Sequence, residues 1–272
     1  MSAAVLDNGP AVLFCPADRP DRYGKALERA DAVILDLEDA VLPAAKHDAR
    51  IAMSTADLDP DRVIVRVNAA DSEYFVEDLA AVRRSPFHTV MLAKAESTAQ
   101  LDAIGGGLSV VALCETARGV MASDAIAAHP AVVALMWGAE DLIASLGGSS
   151  SRREDGGYRD VARHARARVL LAAGAFGRHA IDAVHVDIPD LGGLEAECRD
   201  GAASGFSATA CIHPSQVEVV RRAYRPAEAD VESARRLLDA AAGEAGAFRL
   251  DGRMVDEPVL RQAREVLRRA GR

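Results

Sequence analysis

The sequence predicts an α/β protein built as a closed (β/α)8 TIM barrel. Eight short apolar runs recur within about 215 residues, and seven of the gaps between them hold helix-compatible sequence. The runs carry little or no charge, as strands buried on both faces of a parallel sheet do. Strands alternating with helical patterns form βα units, and eight such units fit a barrel whose usual size is ~250 residues. A doubly wound open sheet is the alternative, and the strand count favours the barrel.

In chain order the runs are AVLFCPA from Ala11, AVILDLE from Ala32, RVIVRVN from Arg62 and TVMLAK from Thr89. SVVALCE from Ser109, VVALMWG from Val132, AVHVDIP from Ala183 and ATACIHP from Ala208 complete the set. Between them, Asp21–Ala30 places Tyr23, Leu27 and Ala30 on one helical face, Glu96–Ile104 is helix-compatible, and the glycines 105–107 stop it before the fifth strand. The longest gap opens with the polar, glycine-rich segment 146–154, which reads as a phosphate nest, a lid or a plain surface loop. It lacks the Lys-Ser/Thr ending of a P-loop. An alanine-rich helix follows from Asp160 to about Phe176.

After the eighth run, Ser215–Tyr224 is expected to be the last barrel helix, and Arg225-Pro226 a boundary. This divides the chain into a barrel domain, 1–225, and a C-terminal helical arm, 226–272. The arm holds a helix over Glu228–Ala242, a turn-bearing piece over Phe248–Val255 and a basic amphipathic helix over Pro258–Arg269. So short a segment cannot make an independent core, so it is expected to pack on its own subunit or a neighbour.

A net charge of -9 argues against nucleic acid or an anionic membrane as the main partner. An acidic whole can still hold a local basic pocket. Four cysteines without a CxxC pair read as buried free thiols in a reducing compartment. With no basic n-region and no bilayer-length apolar run, the expected location is cytoplasmic.

If the barrel is right, the residues at the strands' carboxyl ends converge on one mouth. The second strand delivers Asp36, Glu38 and Asp39, the third Arg66 and Asn68, and the fourth Lys94. The fifth delivers Glu115, with Thr116 and Arg118 after it; the sixth delivers Gly138, Ala139, Glu140 and Asp141; the seventh Asp187; the eighth His213. So many acids cannot all stay ionised without a counter-charge. A hard divalent cation meets that need, and carboxylates without a Cys/His cluster favour Mg2+. Glu115 and Asp141, on adjacent strands, are the expected ligands; the competing reading pairs them with Arg66 or Arg118. Asp36, Glu38 and Asp39 are expected behind the metal or in ion pairs. Arg66, costly at the end of a buried strand, suits a carboxylate or enolate oxygen, an ion pair with Asp36 or Glu38, or both. His185 and His213 read as hydrogen-bonded structural histidines.

The strings LFCPADRPDRYGKAL, ILDLEDAVLPAAKHDAR, VIVRVNA, VMLAKAES, ALCETARG, WGAEDL, CIHPSQ and GRMVDEPVL span positions 13 to 260. Together they resemble the CitE-like (citrate lyase β-subunit-like) branch of the malyl-CoA and citramalyl-CoA lyases, in the HpcH/HpaI aldolase group. The resemblance implies a barrel of the phosphoenolpyruvate/pyruvate type, Mg2+, coenzyme A as part of the substrate, and a homotrimer or dimer of trimers. It implies Glu115 and Asp141 as metal ligands and Arg66 at the keto and enolate oxygen. It places the 2-oxo acid carboxylate on the backbone at Gly138, Ala139 and Glu140, up to Asp141. It further implies Arg19 and Lys25 as contacts to coenzyme A phosphates, and Asp256 as an acid supplied to a neighbouring subunit. Without the resemblance, Asp256 reads as a helix N-cap before Pro258. Two departures stand out: Ala93 replaces a proline common in relatives, and the C-terminal part is shorter than in malyl-CoA lyases.

The expected activity is Mg-dependent, reversible carbon–carbon cleavage of a 3-hydroxyacyl-CoA of malyl-, citramalyl- or hydroxymethylglutaryl-CoA type. The expected products are acetyl-CoA and a small keto acid, with Asp256 protonating the departing enolate. Alternatives are a citrate lyase β subunit acting on an acyl-carrier-protein thioester, a 2-oxo-acid aldolase without coenzyme A, and a non-catalytic CoA-binding scaffold.

Overall fold

The structure, a computed structural model, describes residues 4–243 and 246–271; the ends of the predicted domain ranges, 1–3 and 272, lie outside them. The chain separates into two units, divided between Val220 and Arg221.

The first unit is a closed barrel of eight parallel strands in sequential order: β1 Ala11–Pro16, β2 Ala32–Asp36, β3 Val63–Val67, β4 Thr89–Leu92, β5 Ser109–Cys114, β6 Val132–Trp137, β7 His179–Asp182 and β8 Ala208–Cys211. The ring closes where β1 pairs with β8, with Val12 opposite Ala210. Side chains alternate along a strand, so every second residue points inward. Val12, Ile34, Ile64, Met91, Val111, Leu113, Ala134, Met136, Ile181 and Ala210 form that interior, and Val5 and Leu6 of the helical turn Ala4–Asp7 join the same cluster. Continuing the alternation by two residues toward the carboxyl ends reaches Asp36, Arg66, Glu115, Gly138 and Ile212. The strand period alone therefore turns a dry core into a polar rim.

The connecting helices follow the expected ranges closely, for example Pro20–Arg29 and Asp160–Ala175. Thr98–Ile104 begins with a capping box made by Ser97 and Gln100, and Gly105 ends it at φ 74°.

The seventh strand is a correction. The run AVHVDIP was expected to form it, but the strand is the preceding His179–Asp182, and Ala183–Pro189 is a loop at its carboxyl end. After the helix ending at Ala175, Gly177 turns the chain at φ 62°, and the strand begins at once, with His179 opposite Ala134. The Asp182 carboxylate then draws the chain out of the ladder: it accepts from the Ala183 N–H at 3.0 Å, the Trp137 indole at 2.7 Å and the Arg166 guanidinium at 2.7 Å. Asp187 is consequently an exposed loop residue, not a strand-borne rim residue. His185 is buried in that loop and bonded to Glu197 at 2.9 Å, while His213 is exposed and bonded to Ser215 at 2.8 Å.

The second unit contains the helices Glu228–Ala241 and Glu257–Arg269, which pack on each other and bury Val231, Ala234 and Ala263. Between them lies a hairpin of β9 Phe248–Leu250 and β10 Arg253–Val255, turned by Asp251 and Gly252, both at positive φ. All four cysteines are buried and free. Among the described residues, no helix is long and apolar enough to cross a membrane.

Ile34 is fully buried in the barrel interior. Ile34→Ala is expected to cost about 3 kcal/mol of unfolding free energy, read by urea denaturation. A loss below about 1 kcal/mol would mean that this interior layer is not close-packed.

Candidate active site

A cavity of about 440 Å³ opens at the carboxyl ends of the strands. Its floor is apolar (Phe14, Leu113, Met136), and its polar wall holds Asp36, Arg66, Glu115 and the segment Gly138–Asp141. Acids separated by more than a hundred residues in the chain thus face one space. Glu115 and Asp141 are the central pair. Glu115 is only 3% exposed, and its like-charged neighbour Asp141 is more open. A Cβ built on Gly138 would lie 2.9 Å from the Glu115 carboxylate, so only glycine lets the backbone approach this closely. Burial first, and the charge of Asp141 second, push the Glu115 carboxyl up to about 8. Arg118, the alternative partner, is exposed and faces Glu96.

Arg66 is held by both ends of its fork. Nε donates to Asp36 Oδ1 at 2.7 Å and Nη2 to Asp36 Oδ2 at 2.6 Å, while Nη1 lies 2.9 Å from Glu38 Oε2. That last contact is close enough for an ion pair but poorly aligned, so Glu38 Oε2 has no hydrogen bond. The guanidinium also stacks over Phe14, 5.0 Å from the ring centre. Burial opposes the charge on Arg66, yet Asp36 and Glu38 outweigh it and raise its pKa. Asp36 further accepts from the backbone N–H groups of Glu38 at 2.9 Å and Ala40 at 3.2 Å, fixing the loop after β2.

Sequence reasoning placed Lys94 at the rim but gave it no role. Its Nζ bonds Glu38 Oε1 and lies 3.4 Å from Asp141 Oδ1, 3.9 Å from Glu115 Oε1 and 3.9 Å from the exposed Asp39. The available signal was a lysine directly after a buried strand. Lys46 and Asp78 were missed altogether. Lys46 Nζ donates to the carbonyls of Leu37 at 2.7 Å and Glu38 at 2.9 Å and to Asn68 Oδ1 at 3.0 Å. Asp78 accepts from Asn68 Nδ2 at 2.6 Å and from Arg50 at 2.7 Å. These groups hold the second and third rim loops together from beneath, and no local spacing announces them.

The polar segment 146–154 is tied to the rim: Ser151 donates to Glu140 Oε1 at 2.6 Å, and Arg152 pairs with Glu197. Arg19 sits after β1, paired with Asp21 at 3.0 Å, and Lys25 is exposed on the helix that follows. Neither lines the cavity described above. Asp256 belongs to the second unit, where it caps the helix Glu257–Arg269 by accepting from the Val259 N–H at 3.4 Å.

No group of three or more His, Cys, Asp or Glu side chains clusters for a metal among the described residues. The pair Glu115 and Asp141 fits the other mode, in which a hard cation takes two carboxylates and completes its shell with water and substrate oxygens. The raised Glu115 marks a place where added positive charge is favourable, and glycine at 138 leaves room beside it.

A pH dependence follows for the metal-free protein. Glu115 ionises near 4.5 when unfolded and near 8 when folded. Its proton therefore contributes stability fully below about pH 4.5, and that contribution is lost as pH rises through 8. In chelator-treated protein, Glu115→Gln is expected to flatten this decline, read by denaturant unfolding from about pH 5 to 9. Equal slopes for variant and wild type would refute the assignment.

Residues 11–214 match the family model described as HpcH/HpaI aldolase/citrate lyase. A citrate lyase subunit beta-like protein of Mycobacterium tuberculosis is 57% identical over 263 residues, 97% of this chain and 96% of the relative. The crystal structure of protein CitE from the same organism, in complex with magnesium, acetoacetate and coenzyme A, matches with a TM-score of 0.94 at 56% identity, covering 98% of this chain and 100% of that one. The (3S)-malyl-CoA thioesterase of Cereibacter sphaeroides is 34% identical over 96% of this chain and 94% of its own. Human mitochondrial citramalyl-CoA lyase is 30% identical over 94% and 84%. On the barrel, the rim and these matches, the chain belongs to the HpcH/HpaI aldolase/citrate lyase family.

Proposed function

We propose that this protein is a Mg2+-dependent carbon–carbon lyase that reversibly cleaves a 3-hydroxyacyl-CoA bearing a carboxylate into acetyl-CoA and a small keto acid. The observation that carries the reading is the meeting of Glu115 and Asp141 beside Arg66 in one cavity. The related CitE bound to magnesium, acetoacetate and coenzyme A supports it, because a keto acid and a thiol carrier are the two halves of such a substrate. Glu115 and Asp141 would hold the metal, which when bound supplies Lewis-acid polarisation of the keto oxygen.

The chain's own groups do the rest. Arg66, locked in place by Asp36, presents fixed positive charge to the oxygen that becomes the ketone, so little reorganisation is needed as charge develops. The N–H groups of Gly138–Asp141 receive the keto acid carboxylate. Phe14, Leu113 and Met136 keep water from the reacting carbons. Arg19 and Lys25 are proposed to meet coenzyme A phosphates. Asp256 is proposed to protonate the departing acetyl group's enolate in a neighbouring copy of a homotrimer or dimer of trimers. The same groups would serve a thioester on a carrier protein, the citrate lyase β-subunit alternative. Thioester hydrolysis is a second reading, favoured by the similarity to (3S)-malyl-CoA thioesterase.

The test is a panel of malyl-, citramalyl- and hydroxymethylglutaryl-CoA assayed with and without Mg2+. Metal-dependent release of acetyl-CoA with an equal amount of keto acid is expected. Free coenzyme A as the only thiol product would replace the lyase with the hydrolase, and no product from any thioester would end the reading. Glu115→Gln and Asp141→Asn are each expected to lower kcat on the order of a thousandfold with the fold intact. Asp256→Ala mixed with Arg66→Ala should recover activity that neither variant has alone. Absence of recovery in mixed oligomers would remove Asp256 from the neighbouring site.

A further inference from the structure

Lys94 follows β4 in a conformation that side chains rarely adopt, at φ 50°. The residues beside it continue the sheet ladder: Ala93 N–H donates to the Val67 carbonyl at 3.4 Å and Ala95 N–H to the Leu113 carbonyl at 3.0 Å. Lys94 is the kinked residue between two anchored ones, and left-handed backbone of this kind costs about 1 kcal/mol or more at a non-glycine position. The kink brings both polar ends of one residue to bear on the acid pair. Its backbone N–H donates to Glu115 Oε1 at 3.1 Å, and its Nζ stands 3.4 Å from Asp141 Oδ1. One oxygen of each carboxylate, Glu115 Oε1 and Asp141 Oδ1, thereby faces Lys94. Lys94 sits beside the acids that line the cavity.

The charges at this rim form a simple set. Apart from the exposed Asp39 and Glu140, whose charges water screens, four carboxylates, Asp36, Glu38, Glu115 and Asp141, surround two cations, Arg66 and Lys94. Asp36 is taken by Arg66 and Glu38 is shared by Arg66 and Lys94, which leaves two negative charges on Glu115 and Asp141 when all are ionised. One divalent cation closes that deficit, and the rim is then neutral. A neutral rim accepts an anionic keto acid; a rim one charge more negative repels it.

Resting on the reading that Glu115 and Asp141 hold a divalent cation, we infer that Lys94 is a positioning residue: its backbone N–H, kept by any substitution there, orients Glu115, and its ammonium brings the metal-loaded rim near neutrality. It does so at a cost in metal affinity, since an ammonium beside the site repels the ion. The two effects have opposite signs. Removing the charge should tighten metal binding and weaken binding of the 2-oxo acid to the loaded protein. A lysine that only supported the fold would, on removal, weaken both.

The experiment is calorimetric titration of the full chain, first with Mn2+ as the metal probe and then, metal-saturated, with pyruvate as the smallest 2-oxo acid. Lys94→Gln is expected to bind Mn2+ about tenfold more tightly and pyruvate about tenfold more weakly than wild type, with Lys94→Arg close to wild type in both. Lys94→Met, which keeps the stem, serves if the glutamine variant unfolds. Both affinities falling, or both staying unchanged, would overturn the inference. Wild-type protein that binds no Mn2+ would instead overturn the metal reading itself, and the inference with it. Wild-type binding together with same-sign changes in the variants overturns the role of Lys94 alone.

Discussion

The arrangement depends on one electrostatic constraint: four carboxylates gathered at the rim of a barrel, beside the exposed Asp39, with only two cations among them. Water cannot screen these charges well, so each must be answered by a partner, a proton or a metal. Arg66 answers Asp36 through a two-bond fork and Lys94 answers Glu38, while burial and the charge of Asp141 push the Glu115 carboxyl up to about 8. Glu115 and Asp141 are the acids left with a deficit that a divalent cation suits.

The fold produces that constraint by simple alternation. Inward residues of the strands are aliphatic up to a given layer and polar in the next: Ile34 then Asp36, Ile64 then Arg66, Leu113 then Glu115. The aliphatic layers supply the close-packed support that holds each polar side chain at a fixed height. Beneath the rim, Lys46, Asn68, Asp78 and Arg50 satisfy one another and the loop carbonyls. A rim supported this way needs little rearrangement when charge moves during a reaction, which is where fixed dipoles gain over water. The Gly138 cradle adds a geometric condition, since any side chain there would press on Glu115.

Lys94 shows how backbone strain and charge serve the same end. A relaxed extended residue after β4 would alternate on and send its N–H elsewhere. The left-handed kink aims both N–H and ammonium at the acid pair, and the flanking bonds of Ala93 and Ala95 hold it there.

By itself the sequence determined the eight-unit barrel and the convergence of its strand ends, because buried parallel strands read as uncharged runs and the carboxyl end of each is the residue that follows. The seventh strand escaped because it is only four residues long and half polar, with His179 and Asp182, whereas Ala183–Pro189 offered a longer run with more apolar letters that the chain carries into a loop. Only the tertiary structure decided which acid meets which cation. Asp36 and Arg66 are thirty residues apart, and Lys94 meets Glu38, Glu115 and Asp141 from three other strands. Local pattern encodes which face a residue takes, but contacts across a closed barrel depend on strand register and on a single kinked dihedral, and neither has a signature in the letters.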